Sequence, residues 1–309
     1  MTLSSQPQTP SFTSRLVNGL LAIKPLAQFA KSQARSMMIE RAEKIGVPWR
    51  ENVKQLQAHD WESEQKAIAN PRLSYPDYYL TSFHAYDQGN LCWEAALEVE
   101  SAAQAVHATI WQKTEGVVTV EGDPKLRQNY HDILKTVLKP EPKSILDLGC
   151  GVGMSTFSLQ ATFPQAQVSG LDLSSYYLAL ARYRTRDRQA SIHWIHGAAE
   201  ATALPTRSLD LVSAFLVFHE LPKAAAIAIF KEARRLLRPG GHLAIMDMNP
   251  QAPDFQTMPP YILTLLKSTE PYLDQYFALD VAQELAAIGF QSTTIAAVSP
   301  RHRALIAQA

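Results

Sequence analysis

The residues best suited to chemistry gather in ILDLGCGVGMST, positions 145–156: an acid, Asp147, and then a glycine at every second position, Gly149, Gly151 and Gly153. Glycine has no Cβ, so such a loop lets backbone lie directly against a ligand. A second acid, Asp172, ends the apolar run of QVSGLDLS. It stands about twenty residues beyond the loop, where a carboxylate can accept both hydroxyls of a ribose. In dinucleotide sites the spacing is G-x-G-x-x-G, with a pyrophosphate on the helix N-terminus. The third position of that pattern is here Met154, and Asp147 precedes the first glycine by two residues. A carboxylate there repels a diphosphate and can hold an ammonium.

Two acids at this spacing therefore suit a ligand with an amino-acid end and a ribose, such as S-adenosylmethionine, better than a diphosphate. A nicotinamide dinucleotide on a degenerate loop is the competing reading. Proton-transfer candidates stand elsewhere. FHEL places His219 and Glu220 after an apolar run, and an imidazole titrates near neutrality. FHAYDQGN supplies His84, Tyr86 and Asp87 in an aromatic-rich segment, 70–90, with Tyr75, Tyr78, Tyr79 and Phe83. That segment is either a lid over a ligand or packing between two parts of the chain, with Trp93 behind it. The connection NPQAPDFQTMPPYILTLLKSTEPYLDQYF adds Phe255, Met258, Tyr261, Tyr272, Tyr276 and Phe277. Long connections in compact domains are often functional. Aromatics and methionine there suit an apolar, planar acceptor. Tyr86, Trp93, Tyr261 and Tyr276 are the expected acceptor contacts. No cluster has metal-ligand spacing; His193 and His196 flank Trp194 on one strand, a packing pattern.

The elements that must position these residues change character near residue 120. Residues 1–120 read as helices with irregular, aromatic connections: Met38, Ala42 and Ile45 recur at helical spacing up to Gly46, as do Trp93, Leu97, Ala103, Val106 and Ile110. From 121 onward, Asp123-Pro124 offers a capping acid and a first-turn proline. Leu126, Tyr130, Ile133, Leu134 and Val137 form the buried stripe of the helix that follows. Strands are then expected at 144–148, 167–172, 191–195, 210–218 and 242–247, with helices at 175–186, 222–237 and 280–288. Two last apolar runs occupy 291–298 and 302–307. Such alternation is the pattern of a doubly wound α/β sheet covered on both faces.

Four blocks in this order, ILDLGCGVG, VSGLDLS, LDLVSAFLVFHEL and LLRPGGHLAIMD, resemble the class I S-adenosylmethionine-dependent methyltransferases of the small-molecule, quinone-biosynthesis-like type. The resemblance covers roughly 125–309. It implies a seven-stranded, mostly parallel sheet with an N-terminal helical cap, over 1–120 and 121–309 respectively, and S-adenosylmethionine as cofactor. It also implies that Gly149, Gly151 and Gly153 pass under the methionine moiety, with Asp147 ordering the loop or facing the amine. Asp172 would take the ribose, Leu173 the adenine, and Phe215 the methionine end. Many relatives place an acid where this chain has Ala198, so adenine would be read by backbone at Ala198 and Ala199 or by Glu200. FHAYDQGNLCWEAALEVE is similar to an N-terminal segment of cyanobacterial and plastid methyltransferases. The implied activity is methyl transfer to a small acceptor at oxygen, carbon or nitrogen. His219, Tyr86 and His84 are the candidates for a chemical role, and a catalytically silent cofactor-binding module is the alternative.

Bulk properties narrow the partners. The 309 residues carry a formal net charge of zero, which argues against a dedicated nucleic-acid binder. The triplet after Met258, Pro-Pro-Tyr, follows the fifth strand and not the fourth, away from its place in base methyltransferases. Two cysteines, Cys92 and Cys150, point to a reducing, cytoplasmic setting. No apolar run reaches the ~20 residues of a spanning helix, and MTLSSQPQTP lacks the build of a secretory signal. The first fifty residues hold seven basic and two acidic side chains, so a peripheral membrane contact through LVNGLLAIKPLAQFAKSQAR competes with simple packing on the main domain.

Overall fold

In the computed structural model, residues 24–309 other than 85 and 189 are described. Of the segment expected to touch a membrane, residues 16–35, the part 16–23 lies outside the described residues and 24–35 begins the first described helix. Helices of eight or more residues are numbered here in chain order: α1 Lys24–Lys44, α2 Trp49–Gln57, α3 Trp61–Ile68, α4 Trp93–His107, α5 Gly122–Val137, α6 Met154–Thr162, α7 Ser175–Asp187, α8 Lys223–Leu236, α9 Pro260–Thr269 and α10 Val281–Ile288. The strands are β1 Ser144–Leu148, β2 Gln167–Asp172, β3 Ile192–His196, β4 Leu209–Phe215, β5 Leu237–Met248, β6 Thr293–Ala297 and β7 His302–Gln308.

The strands form one sheet in the order β3-β2-β1-β4-β5-β7-β6. The β3, β2, β1, β4 and β5 pairings are parallel, and β7 runs antiparallel to both its neighbours, so the sheet is mixed. Strand order reverses between β1 and β4, and open α/β sheets bind ligands beyond the carboxyl ends of the strands at such a point. Apolar side chains on β1 and β4 are buried on both faces. Leu146, Leu148 and Val212 pack with α8 and α10, whereas Ile145, Leu211 and Phe215 pack with α5 and α6.

Helix α5 carries the expected stripe: Leu126, Tyr130 and Leu134 are fully buried. The Tyr130 hydroxyl lies 3.0 Å from Ser213 Oγ and donates to Ala244 O at 3.2 Å, fixing the helix across β4 and β5. Asp123 differs from expectation. The helix starts one residue earlier, at Gly122, and the Asp123 carboxylate is engaged by Arg127 Nε at 2.9 Å and His107 Nδ1 at 2.7 Å instead of capping. The fourth strand also stops short of 218. At Leu216 the chain takes a left-handed φ of 58° and enters a 3-10 turn, Phe218–Glu220. That turn sets His219 and Glu220 above the sheet edge.

The cap is held to the sheet domain mainly through α7. Trp61, Ala95, Ala96 and Leu97 pack with Val152, Tyr177 and Leu180 in one apolar cluster. Polar ties reinforce it: Ser174 Oγ donates to Asn90 O at 2.6 Å and Tyr177 Oη to Asn90 Oδ1 at 2.9 Å.

Candidate active site

A cavity of about 660 Å³ opens over the carboxyl ends of the strands, between sheet domain and cap. Its floor is made by the loops after β1, β2, β3 and β4. Three glycines follow β1, all at positive φ, yet they do different work. A Cβ on Gly149 would meet Val217 Cγ2 at 2.7 Å, and one on Gly153 would meet Trp194 at 2.6 Å. Both are glycines because packing leaves no room, and Gly153 is not part of the cavity wall. A Cβ on Gly151 would meet nothing nearer than Tyr177 at 3.8 Å. It points into open space, and Gly149 and Gly151 both line the cavity.

Asp147 lies beneath this loop and not in the wall. Its Oδ2 accepts from Ser155 Oγ and Thr156 Oγ1, both at 2.7 Å, tying the loop to the first turn of α6. Its Oδ1 is buried with no partner. Burial pushes its carboxyl up to about 6, against the lowering by those hydroxyls. Asp172 does reach the cavity, from the end of β2. It accepts from Gly151 N at 2.8 Å and Ser174 N at 2.7 Å, and burial raises it to about 6 as well. Leu173 and Ala199 line the same end, while Ala198 does not. Glu200 does, with its Oε1 accepting from the Tyr78 hydroxyl and its Oε2 buried without a partner. Phe215 lines the middle of the cavity under the Arg127 guanidinium, 4.4 Å from the ring centroid.

These features fit an adenosyl amino acid. A side chain at Gly151 would fill the cradle, the Asp172 carboxylate reaches the cavity from the end of β2, and Glu200 Oε2 in the wall lacks a donor.

The cap supplies the opposite wall, and the aromatic segment divides in two. Tyr78, Tyr79, Phe83, His84 and Tyr86 line the cavity. Trp93 lies outside it, against Trp61 and Tyr176 at ring-centroid distances of 5.8 and 4.8 Å, so packing and not acceptor contact accounts for it. Tyr86 is in the wall, but its hydroxyl donates to Glu98 Oε2 at 2.8 Å and burial pushes its pKa up. It therefore keeps its proton, which removes it from the candidate bases. Beyond Tyr86 the wall is apolar: Val99, Ala102, Val106 and Ile110 from α4 and its C-terminal turn face Met258, Ile262 and Leu266. Val106 and Ile262 are among the few large hydrophobic side chains left exposed, at 45% and 40%. Tyr261 lies on α9 with its side chain outside the described set. Tyr276 is not in the wall; it is fully buried, donates to Met248 O at 2.9 Å and packs beside His219.

His219 lies in the wall with its Nδ1 2.7 Å from Asp247 Oδ1. Asp247 is wholly buried at the end of β5 and also accepts from the Phe218 and His219 amides, at 2.8 and 3.2 Å. Burial lowers the His219 pKa, but Asp247, Glu270 and Glu220 together outweigh it and lift the imidazole to about 10. At neutral pH this ring is a fixed imidazolium, which is a poor general base. Sequence reasoning missed Asp247, Glu270 and Arg127. A lone carboxylate inside the apolar strand AIMDM was a usable signal for Asp247; Glu270 left none. Among the described residues, no group of three or more His, Cys, Asp or Glu is arranged to hold a metal ion, and no helix is long and apolar enough to cross a membrane.

Residues 145–241 match the family model described as a methyltransferase domain. The chain is 37% identical over 128 residues to a trans-aconitate 2-methyltransferase of Azoarcus sp., covering 41% of this chain and 48% of that protein. It is 32% identical over 116 residues to a demethylmenaquinone methyltransferase of Thermus thermophilus, covering 37% and 50% respectively. The fold is similar to that of geranyl diphosphate C-methyltransferase from Streptomyces coelicolor, with a TM-score of 0.50, 14% identity, and 62% of this chain and 77% of that one covered. Residues 145–241 thus match a methyltransferase domain, and this stretch is similar to parts of small-molecule methyltransferases. The chain spans about half the length of the curated relatives it matches.

Proposed function

We propose that this protein is an enzyme that moves a methyl group from S-adenosylmethionine to a small acceptor with a largely apolar body, with residues 24–120 forming its cap and 121–309 its catalytic domain. One observation carries the reading: a single cavity runs from Gly151 and Asp172 to the apolar faces of α4 and α9. When bound, the cofactor supplies a methyl group already activated as a sulfonium, so the protein's task is alignment and exclusion of water.

Gly149 and Gly151 give the backbone surface for the methionine moiety, Asp147 holds that loop in shape, and Asp172 takes the ribose hydroxyls. Leu173 and the backbone at Gly197 and Ala199 cover the adenine, with the free Glu200 Oε2 ready for an amino group. Phe215 and the Arg127 stacked on it close the methionine end. Tyr78 and Tyr79 form the lid. Two unpaired cysteines, Cys92 and the buried Cys150, accord with a cytoplasmic setting.

Calorimetry with S-adenosylhomocysteine and NADH is the first test; binding of NADH and not of the nucleoside overturns the proposal. Incubation with methyl-labelled S-adenosylmethionine and an organic extract of cells is the second. Label carried into an apolar small molecule is the expected result, and nucleoside binding without any transfer would leave the silent module instead.

A further inference from the structure

Four titratable side chains meet in the cavity wall where cap and sheet domain face each other. His84 Nε2, on the cap, lies 3.3 Å from Glu270 Oε1 and 3.7 Å from Glu220 Oε1. Glu220 Oε1 lies 4.0 Å from His219 Nε2. The His84 amide donates to Thr269 O at 3.2 Å, clipping the cap to the residue before Glu270. Glu270 is only 6% exposed, and its Oε2 is buried without a hydrogen-bond partner. Leaving a buried carboxylate oxygen unpartnered costs about 1–3 kcal/mol or more, so its place in a cavity wall calls for a ligand group that supplies the missing proton.

Resting on the methyltransferase reading above, we propose that Glu270, with Glu220 beside it, takes the proton that the acceptor's nucleophile gives up, so that the acceptor reacts through a hydroxyl or an amine and not through a carboxylate. The balance is simple. The acceptor–carbon bond forms, the carbon–sulfur bond breaks with its electron pair left on sulfur, and the acceptor's proton passes to Glu270 Oε2. His84 is placed to carry it on.

The charges around the pair support this direction. His219, held by Asp247, is a fixed positive charge. His84 keeps 39% of its side chain exposed, a route by which the proton can reach solvent. Burial and its neighbouring carboxylate groups raise Glu220 well above the usual range. Glu270 is lifted to about 7 by burial and by Asp247, with His219 opposing. A carboxyl that titrates near neutrality is suited to accept a proton. An anionic acceptor is a poor match for the same wall. It carries no proton to lose, it would add charge beside two carboxyl groups, and the arginines of the cavity are already paired. Arg127 is held by Asp123, Arg301 by Asp254, and Arg35 by Glu98 and Glu94. The trans-aconitate relatives are named for a carboxylic acid; this wall favours another acceptor chemistry.

Sinefungin, in which an amine-bearing carbon replaces the methylated sulfonium, puts a cation where the transferred methyl would be. The experiment is calorimetric titration of wild type, Glu270→Gln and Glu220→Gln with sinefungin and with S-adenosylhomocysteine. Wild type is expected to bind sinefungin at least tenfold more tightly and to release protons on binding it near pH 7. Glu270→Gln should cut that preference about tenfold and lose the proton release, with S-adenosylhomocysteine affinity within twofold of wild type, which also reports an intact fold. A preference and proton release unchanged in both variants overturns the assignment while the cofactor reading stands. Failure of both nucleosides to bind wild type overturns the cofactor reading itself, and this proposal with it.

Discussion

The two ends of the cavity are built on different principles. The end proposed for the cofactor is made of backbone and short-range sequence. Gly149, Gly151, Asp172 and Ala199 sit at the tips of consecutive strands, and their geometry follows once β1, β2 and β3 lie parallel. The end proposed for the acceptor is made of side chains brought from far apart: His84 from the cap, His219 and Glu220 after β4, Asp247 on β5 and Glu270 at the end of α9. One end recognises by shape and hydrogen bonds from fixed groups; the other holds several ionisable groups whose protonation each depends on the rest. A shared strand framework can therefore serve many acceptors, because only the second end has to change.

That contrast can be broken in order of effect. Gly151→Val should remove measurable nucleoside binding, a loss of more than about 100-fold or roughly 3 kcal/mol. The side chain would enter the cradle, and the φ of 54° there is one that L residues rarely hold. Titration with S-adenosylhomocysteine checks it, with circular dichroism to show that the fold persists; binding within tenfold of wild type would place the nucleoside elsewhere.

His219→Gln strikes only the acceptor end. Removing one member of a buried ion pair costs about 3–5 kcal/mol. His219 keeps its proton up to about pH 10 in the folded protein, against 6.5 as the ordinary value. A raised histidine pKa gives stabilisation that is complete below about pH 6.5 and is lost as pH rises through about 10. The gap in thermal midpoint between wild type and variant should therefore be widest near pH 6 and close toward pH 10, with nucleoside affinity unchanged. A gap constant over that range would mean that the imidazolium does not hold this wall.

Asp172→Ala should weaken S-adenosylhomocysteine binding by about 1–3 kcal/mol, the worth of charged hydrogen bonds. In wild type the affinity should fall as pH drops through about 6, because Asp172 takes up a proton there and loses acceptor capacity; the variant should show a flatter profile. The smallest effect expected is that of Tyr78→Phe. It frees Glu200 Oε1 from its lid partner, and a shift of no more than about 1 kcal/mol in nucleoside affinity should follow. A large loss would make the lid, and not the strand tips, the main source of binding at that end.

The residues of the end proposed for the cofactor stood out in the sequence, since the glycine spacing, the acid before it and the acid closing the next strand are local patterns. Even there, spacing could not tell that Gly153 is a glycine for the sake of Trp194, or that a Cβ would enter open cavity space only at Gly151. The acceptor end was legible only in part. His84 and His219 stood out by residue type, but Tyr276 and Trp93 looked like wall residues and are packing, because aromatic side chains serve cores and pockets alike.

The order of strand and helix patterns determined by itself that this chain folds as a doubly wound sheet with a ligand loop after its first strand. Period and turn chemistry are written into neighbouring residues, and they act before any distant contact forms. Only the tertiary structure decided which carboxyl groups share the cavity and in what protonation state. That depends on how deeply Asp247, Glu220 and Glu270 are buried and on the distances between them, which no local pattern in the chain encodes.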